Sequence, residues 1–388
     1  DPGSRRGRLL SEVRRIDRVQ QVIRRRLIDE LETAISGSSI VTLSAPAGGG
    51  VSTVLDQWMR HTRMRVMSGV CPDFTPQRPL AAFSRVADEE TAALIREADW
   101  RAAAEALVSR FGSGDQLVLA VDDADHLDEA SARLAAQLLA VSCRLVIGHH
   151  HAPPTNPSLD MLIESIETKD RSSVEVHPLD EAEVGSALGD GTDPGAARVA
   201  TGGHPLALSM YRGSGFASIA TAVLERFDRL TADGQALAAI LAASPEPVSL
   251  KLLDSMGRPW DTHGRSLVKS DLVTVTDDHV ALKHDKIRRV LYEEMTALRR
   301  RFVHAEVLGQ LTDTDDLTLS MHHAVGAGDV DRIIALGPAA AEQAAALGSY
   351  REAARHLENV LAYEHSVPEA DRRSFRAALE QHLAEAAV

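Results

Sequence analysis

Two short stretches of this sequence carry residue types and spacings that could do chemistry. The first is Ser44-Ala45-Pro46-Ala47-Gly48-Gly49-Gly50-Val51-Ser52-Thr53, which follows the apolar β-branched run Ser39–Ser44 and leads into the helical pattern Val54-Leu55-Asp56-Gln57-Trp58. Strand, glycine loop and helix together are the setting of a phosphate-binding loop. Backbone N–H groups and the helix N-terminus cradle phosphates, a lysine reaches the terminal ones, and a Ser or Thr hydroxyl holds Mg²⁺. Against the pattern G-x-x-x-x-G-K-[ST], this loop has Ala45 first and then Gly50, Val51 and Ser52, so the lysine is missing. The chain has only five lysines, the first at Lys169, which leaves an arginine of Arg24–Arg26 as the nearby substitute. Gly48, Gly49, Gly50, Val51, Ser52 and Thr53 are the expected nucleotide contacts; a glycine-rich turn without a ligand is the alternative reading of the loop alone.

The second stretch is Val118-Leu119-Ala120-Val121-Asp122-Asp123-Ala124-Asp125-His126-Leu127-Asp128. It puts two carboxylates at the C-terminal end of an apolar strand, where ligands sit in a doubly wound sheet. That is what a Walker B element needs: Asp122 to bind Mg²⁺ through water together with Ser52, and Asp123 to polarise the attacking water. The competing reading is an acidic turn that caps the helix beginning near Glu129. His149-His150-His151 and His322-His323 are weaker signals, since consecutive residues point away from one another and cannot all face one ion.

The elements that must position these residues are legible from hydrophobic patterning. Ser39–Ser44, Gln116–Val121 and Cys143–Gly148 are short continuous apolar runs, with helical segments around Thr91–Phe111 and Glu129–Leu139 between them. Such alternation predicts a parallel sheet covered on both faces, an α/β domain over 38–180 with Val174–Val176 as a last strand. An arginine-rich helical arm over 1–37 precedes it. Residues 181–227 read as a helical lid, 228–311 as a small module with a hairpin turning at Asp277-Asp278-His279, and 312–388 as helical repeats. Within the repeats, Gly328–Ala335 lines up with Gly348–Arg355 at an offset of 20. The stack stops abruptly at Val388, and the expectation is that the native protein continues.

Composition bounds the function classes. With 388 residues, 44% hydrophobic and 25% charged, the chain is expected to form several folded domains and not a disordered segment. No apolar run is long enough for a membrane helix and no export signal stands at the start, so a cytoplasmic location without membrane contact is expected. Cys71 and Cys143 cannot build a disulfide framework. The net charge of −14 argues against a sequence-blind grip on nucleic acid, although residues 1–26 carry nine Arg against Asp1, Glu12 and Asp17. A solvated or internally paired face is the expectation for that arm.

SAPAGGGVSTVLDQW resembles the SAPAG-x-GKTTL-x-x-QW stretch of the large LuxR-type ATP-binding transcription regulators of the maltose-activator kind, signal-transduction ATPases with numerous domains. Val22–Leu27 resembles their arginine-containing motif before the first strand. Leu145–His150 resembles their sensor strand, with His150 where Arg is usual. Thr201-Gly202-Gly203-His204-Pro205-Leu206 resembles the lid motif whose proline packs near the base, and Leu282–Arg289 the winged-helix His-Asp motif in which His284 would contact a β-phosphate. The resemblance implies a P-loop domain, helical lid, winged helix and repeats of the tetratricopeptide (TPR) kind. It implies ATP or ADP with Mg²⁺ contacted by Arg24, Pro205 and His284, and an inducer or protein partner on the repeats. It also implies inducible self-association, and DNA reading only through a domain outside this chain.

Val51 and His150 depart from that pattern at two cationic positions. The expectation is therefore a nucleotide-binding switch and sensor with weak or absent hydrolysis. An active ATPase with a substitute arginine, and a non-catalytic repeat scaffold with a dead NTPase fold, are the alternatives.

Overall fold

The computed structural model describes residues 24–73, 76–112, 117–150, 156–166, 170–189, 191–211, 216–276, 278–311 and 316–385. The arm over 1–23, the Asp277 turn position, His151 and the break at Gly213–Gly215 lie outside the described residues. The chain divides into two compact units, one of residues 24–176 with 313–325 and 329–388, the other of residues 177–312 with 326–328.

In the first unit five strands, β1 (Ile40–Ala45), β2 (Arg65–Val70), β3 (Leu117–Asp122), β4 (Arg144–His150) and β5 (Arg171–Glu175), form one sheet in the order β2-β3-β4-β1-β5. Every pairing is parallel. The predicted parallel α/β core is thus present. Its central strands are continuous apolar runs because both faces are covered: Val118, Ala120 and Val146 belong to one core cluster, Leu119, Val121, Leu145 and Ile147 to the other. The helix Arg25–Gly37 lies on the first face through Leu27, Ile28, Leu31 and Ile35, a spacing of one helical stripe.

Strand β2 was not among the predicted strands. It is an edge strand of mixed polarity, Arg-Val-Met-Ser-Gly-Val, with only Met67 and Gly69 buried, so it lacks the apolar continuity of β3 and β4. The single helical stretch expected over Thr91–Phe111 is two helices, Glu89–Arg96 and Trp100–Phe111. They part at Ala98, whose φ is +58°, and Asp99 restarts the helix by accepting the Ala102 N–H at 2.9 Å.

After the sheet, the first unit contains the helices Val330–Ala346, Tyr350–Leu361 and Glu369–Glu385. Gly328 and Gly348, the two turn glycines aligned by the internal repeat, both adopt left-handed backbone, φ +67° and +71°. Ala341, Ala344, Ala353 and Leu357 form a small core of their own, against which Phe375 and Leu379 pack.

The second unit is mostly helical. The helix Ala232–Ala243 is buried almost all round and forms its centre. A three-stranded antiparallel sheet, ordered β6-β8-β7, joins β6 (Val248–Ser249), β7 (Val273–Val275) and β8 (His279–Leu282). The expected hairpin is β7–β8, with Val273 opposite Leu282.

Candidate functional site

The loop after β1 folds as a tight phosphate-loop turn. Gly49 N–H donates to the Pro46 carbonyl at 2.7 Å, and Gly48 and Gly50 both have positive φ, +82° and +100°. Gly50 is the N-cap of the helix Val51–His61, so that helix begins immediately at the loop. Its N-terminus and its positive dipole end therefore sit at the C-terminal edge of the sheet, the position from which such a helix receives phosphate. Ser52 and Thr53 are exposed there, whereas Val51 is 5% exposed.

Val51 turns its side chain into the core with Ala45, Val54 and Leu55. Gly148, on β4, explains how closely it fits. A Cβ added there would stand 2.8 Å from Val51 Cγ1 and 3.1 Å from Asp122 Oδ1, so only glycine admits both neighbours. Val51, Gly148 and Asp122 thus share one spot. Where a lysine would bring an ammonium, this chain brings a methyl group beside a carboxylate.

Asp122 ends β3 and accepts a hydrogen bond from the Ser52 hydroxyl; Asp123 N–H also donates to its Oδ1 at 3.1 Å. Burial raises the Asp122 carboxyl above its ordinary range, while Ser52, the Asp123 amide and the charge of His150 pull it back. Asp123 has φ +53°, the left-handed backbone of a short polar side chain, and opens a helical turn over Ala124–His126. The helix cap is a third carboxylate, Asp128. It accepts from Ser131 N–H at 2.9 Å and reaches across to Leu80 and Ala81 N–H at 2.8 and 3.0 Å. Capping of the helix Glu129–Ala140 therefore falls to Asp128 and not to Asp122 or Asp123.

His150, at the end of β4, is tied sideways. Its Nδ1 and its backbone N–H both meet Asp125 Oδ2, at 2.8 and 2.9 Å. The hydrogen bond to Asp125 raises the imidazole above its ordinary value; on Asp125, burial pulls upward but the His150 contacts prevail and lower it. Asn156 fastens the same turn, donating to the Asp125 and Leu127 carbonyls at 3.1 and 2.8 Å. Sequence reasoning did not single out Asp125, Gly148 or Asn156. Only the run of carboxylates in Asp122–Asp128 hinted at the first, and a residue 31 positions further along gives no local sign of contact.

Arg24 meets the second turn of the helix after the loop through its backbone, whose N–H donates to Gln57 Oε1 at 3.2 Å. Arg25 and Arg26 are exposed. Pro205 and His284 belong to the other unit. Pro205 is the first residue of the helix Pro205–Met210, capped by His204, and His284 caps Asp285–Glu294 by accepting Lys286 N–H at 3.1 Å.

Ser52 Oγ and the Asp122 carboxylate supply hard oxygen donors that suit Mg²⁺, and the glycine turn with its helix N-terminus suits phosphate. Mg²⁺ there would neutralise phosphate charge. The side chains of the site add little to that neutralisation, because Asp122, Asp123 and Asp125 are set against His150 and Val51 brings no charge.

No protein-family model matches the chain, and no curated protein matches it. Its fold is similar to that of a signal transduction ATPase with numerous domains (STAND) carrying a tetratricopeptide repeat sensor, from Pyrococcus horikoshii. That similarity has TM-score 0.62 at 16% identity and covers 92% of this chain, which spans 57% of that protein's length. Weaker likenesses are a Walker-type ATPase of Pyrococcus abyssi (TM-score 0.34, 13% identity, 70% of this chain and 95% of that one) and Aeropyrum pernix ORC1 in complex with DNA (TM-score 0.31, 15% identity, 70% and 91%). The fold is therefore a P-loop NTPase-like parallel-sheet core with helical domains. Among the described residues no helix is long and apolar enough to cross a membrane.

Proposed function

We propose that this chain is the nucleotide-binding switch and sensor portion of a STAND regulator, of the LuxR-like transcriptional kind, in which hydrolysis is weak or absent. The observation that carries this reading is Val51, buried against Gly148 and Asp122 where a working P-loop presents an ammonium. Gly48–Thr53 would hold the phosphates, Ser52 and Asp122 the Mg²⁺, and Asp123 would orient water. A γ-phosphate in flight carries charge that lysine and a sensor arginine normally stabilise. Val51 supplies no cation, and His150 is committed to Asp125. Binding survives such losses better than turnover does, because the charge to be stabilised grows in the transition state.

In this reading the 181–227 segment is the lid, 228–311 a winged-helix module and 312–388 TPR-like repeats that take an inducer or a protein partner. Arg24, Pro205 and His284 would complete the nucleotide site in the closed state, with opening and self-association as the response. DNA would be read by a domain outside these residues, and the setting would be the cytoplasm. Calorimetric titration with ATP and with ADP, with and without Mg²⁺, followed by a phosphate-release assay, tests it. Binding with negligible turnover is expected. Turnover at the rate of ordinary P-loop ATPases would overturn the switch reading, and no binding of either nucleotide would leave a repeat scaffold on a dead NTPase fold.

A further inference from the structure

The turn into the helix Tyr350–Leu361 is seated on the shoulder of β3, at the start of the helix Glu129–Ala140. Ser349 Oγ accepts the Ala130 N–H at 3.3 Å, and Glu129 Oε2 accepts the Arg351 N–H at 2.9 Å. Arg351 reaches Ser158 Oγ at 3.4 Å and Arg355 reaches Gln77 Oε1 at 2.6 Å. Leu347 packs on the apolar cluster that contains Leu107 and Leu134, and a Cβ on Gly348 would stand 2.4 Å from Trp100 Cζ2. In the middle of this joint lies Glu352. It is 2% exposed, beside Asp128 at 0% and Glu129 at 2%, and its Oε2 has no hydrogen-bond partner among the described residues.

Three carboxyl groups meet here, and among the described residues the hydrogen bonds of the nearby arginines go to groups other than Glu352. Arg133 holds Glu129 Oε1 at 2.9 Å, Arg355 is on Gln77, and Arg351 is on Ser158. Asp128 is wrapped by three backbone N–H groups and the Ser131 hydroxyl. Glu352 accepts its own backbone N–H, and its Oε2 has no partner among the described residues. An ionised carboxylate in that position would be desolvated, with one oxygen unpartnered among the described residues and two other acids beside it, so the seated joint favours the neutral acid.

We propose that Glu352 is a proton-operated latch: with its proton the turn Gly348–Glu352 stays seated on the β3 shoulder, and loss of that proton to solvent releases it. Burial, then Asp128 and Glu129, push the carboxyl up to about 8, with the Glu352 backbone N–H and Arg355 opposing. Once unseated and hydrated, the same group returns to the ordinary range near 4.5. A raised acid loses stability as pH rises between its free and its seated values, by about tenfold in the seating equilibrium per pH unit, and the loss levels off above the seated value. His356, one turn further on the same face, acts in the opposite direction. Burial lowers it to about 4, so seating weakens as pH falls below 6.5. The two slopes oppose each other from about 4.5 to 6.5, and in the window from 6.5 to 8 His356 no longer opposes Glu352; Asp128, which burial also raises, acts in the same direction as Glu352. His382, stacked on Tyr350, is lowered by burial as well and is neutral throughout that window. The latch does not depend on whether nucleotide binds.

Hydrogen exchange of the whole chain, read by mass spectrometry at several pH values from 6.5 to 9 and corrected for the chemical exchange rate, tests it. Protection across 347–361 and the first turn of Glu129–Ala140 is expected to fall about tenfold per unit up to about pH 8 and then level, while β3 stays protected. Glu352→Gln, which keeps the shape without the charge, is expected to flatten the profile, and Glu352→Asp to retain it. Protection in the wild type that does not change with pH would overturn the latch. So would an unchanged slope in Glu352→Gln, or β3 opening in parallel with the joint. If Glu352→Gln fails to fold, the wild-type and Glu352→Asp profiles decide the matter.

Discussion

Asp122 and Glu352 are both carboxyls that burial makes costly to ionise, one at the rim of the phosphate loop and one in the joint between sheet and repeat. Their surroundings answer that cost differently. Asp122 is raised by burial and by Asp125, but the Ser52 hydroxyl, the Asp123 amide and the nearby charge of His150 favour its anion. Glu352 has two further acids across the joint and, among the described residues, no partner for Oε2. The first carboxyl is kept available to a cation, while the second is kept as an acid. The same residue class therefore serves ligand binding or seating according to the donors within hydrogen-bond reach, not according to depth alone.

Four changes test that contrast. The largest effect is expected for Gly348→Val, which forces a branched side chain into left-handed backbone at φ +71° and into Trp100. It should cost about 3 kcal/mol and open the joint. Denaturant unfolding and exchange at 347–361 would show this; a loss below about 1 kcal/mol, the scale of an ordinary substitution, would mean the seat is dispensable. At the other carboxyl, Val51→Lys restores an ammonium beside Asp122, and a charge-assisted hydrogen bond of about 2 kcal/mol should tighten ATP binding roughly 30-fold. Calorimetry reads it directly, and unchanged affinity would disconnect the loop from nucleotide.

Ser52→Ala removes the hydroxyl that favours ionised Asp122. It should weaken Mg²⁺-dependent nucleotide binding by about 1 kcal/mol and leave Mg²⁺-free binding nearly unchanged. Titrations of the variant in the presence and absence of Mg²⁺ check this, and an equal loss in both would place the hydroxyl outside the metal site. The smallest effect is expected for His150→Gln. In the wild type the His150–Asp125 pair contributes fully where His150 is charged and Asp125 ionised. Because His150 is raised, its share is complete below about 6.5 and is lost as pH rises through its seated value; because Asp125 is lowered, its share is complete above about 3.8 and lost below. Thermal melts between pH 6 and 8 should lose this slope in His150→Gln, and an unchanged slope would assign it to another group.

Much of the fold was legible in the residues. Ser39–Ser44, Gln116–Val121 and Cys143–Gly148 became β1, β3 and β4 because a strand buried on both faces must be apolar along its whole length. Edge strand β2 escaped notice because one partner and partial exposure demand no such run. The loop and Asp122 were readable as motifs. Asp125 was hidden, since nothing in Asp122–Asp128 says which carboxylate meets His150 and which, as Asp128 does, caps a helix.

What the sequence alone determined is local: apolar continuity for the central strands, glycines where backbone turns left-handed, and a phosphate loop with no lysine to offer. Tertiary structure decided what those residues touch. It packed Val51 against Gly148 and Asp122, turned His150 towards Asp125, and placed Ser349 on Ala130, 219 residues away in the chain. Periodicity encodes which face of an element is buried, because that depends on neighbours within a turn or two. It carries no record of the partner on the other side, which only the folded chain brings within reach.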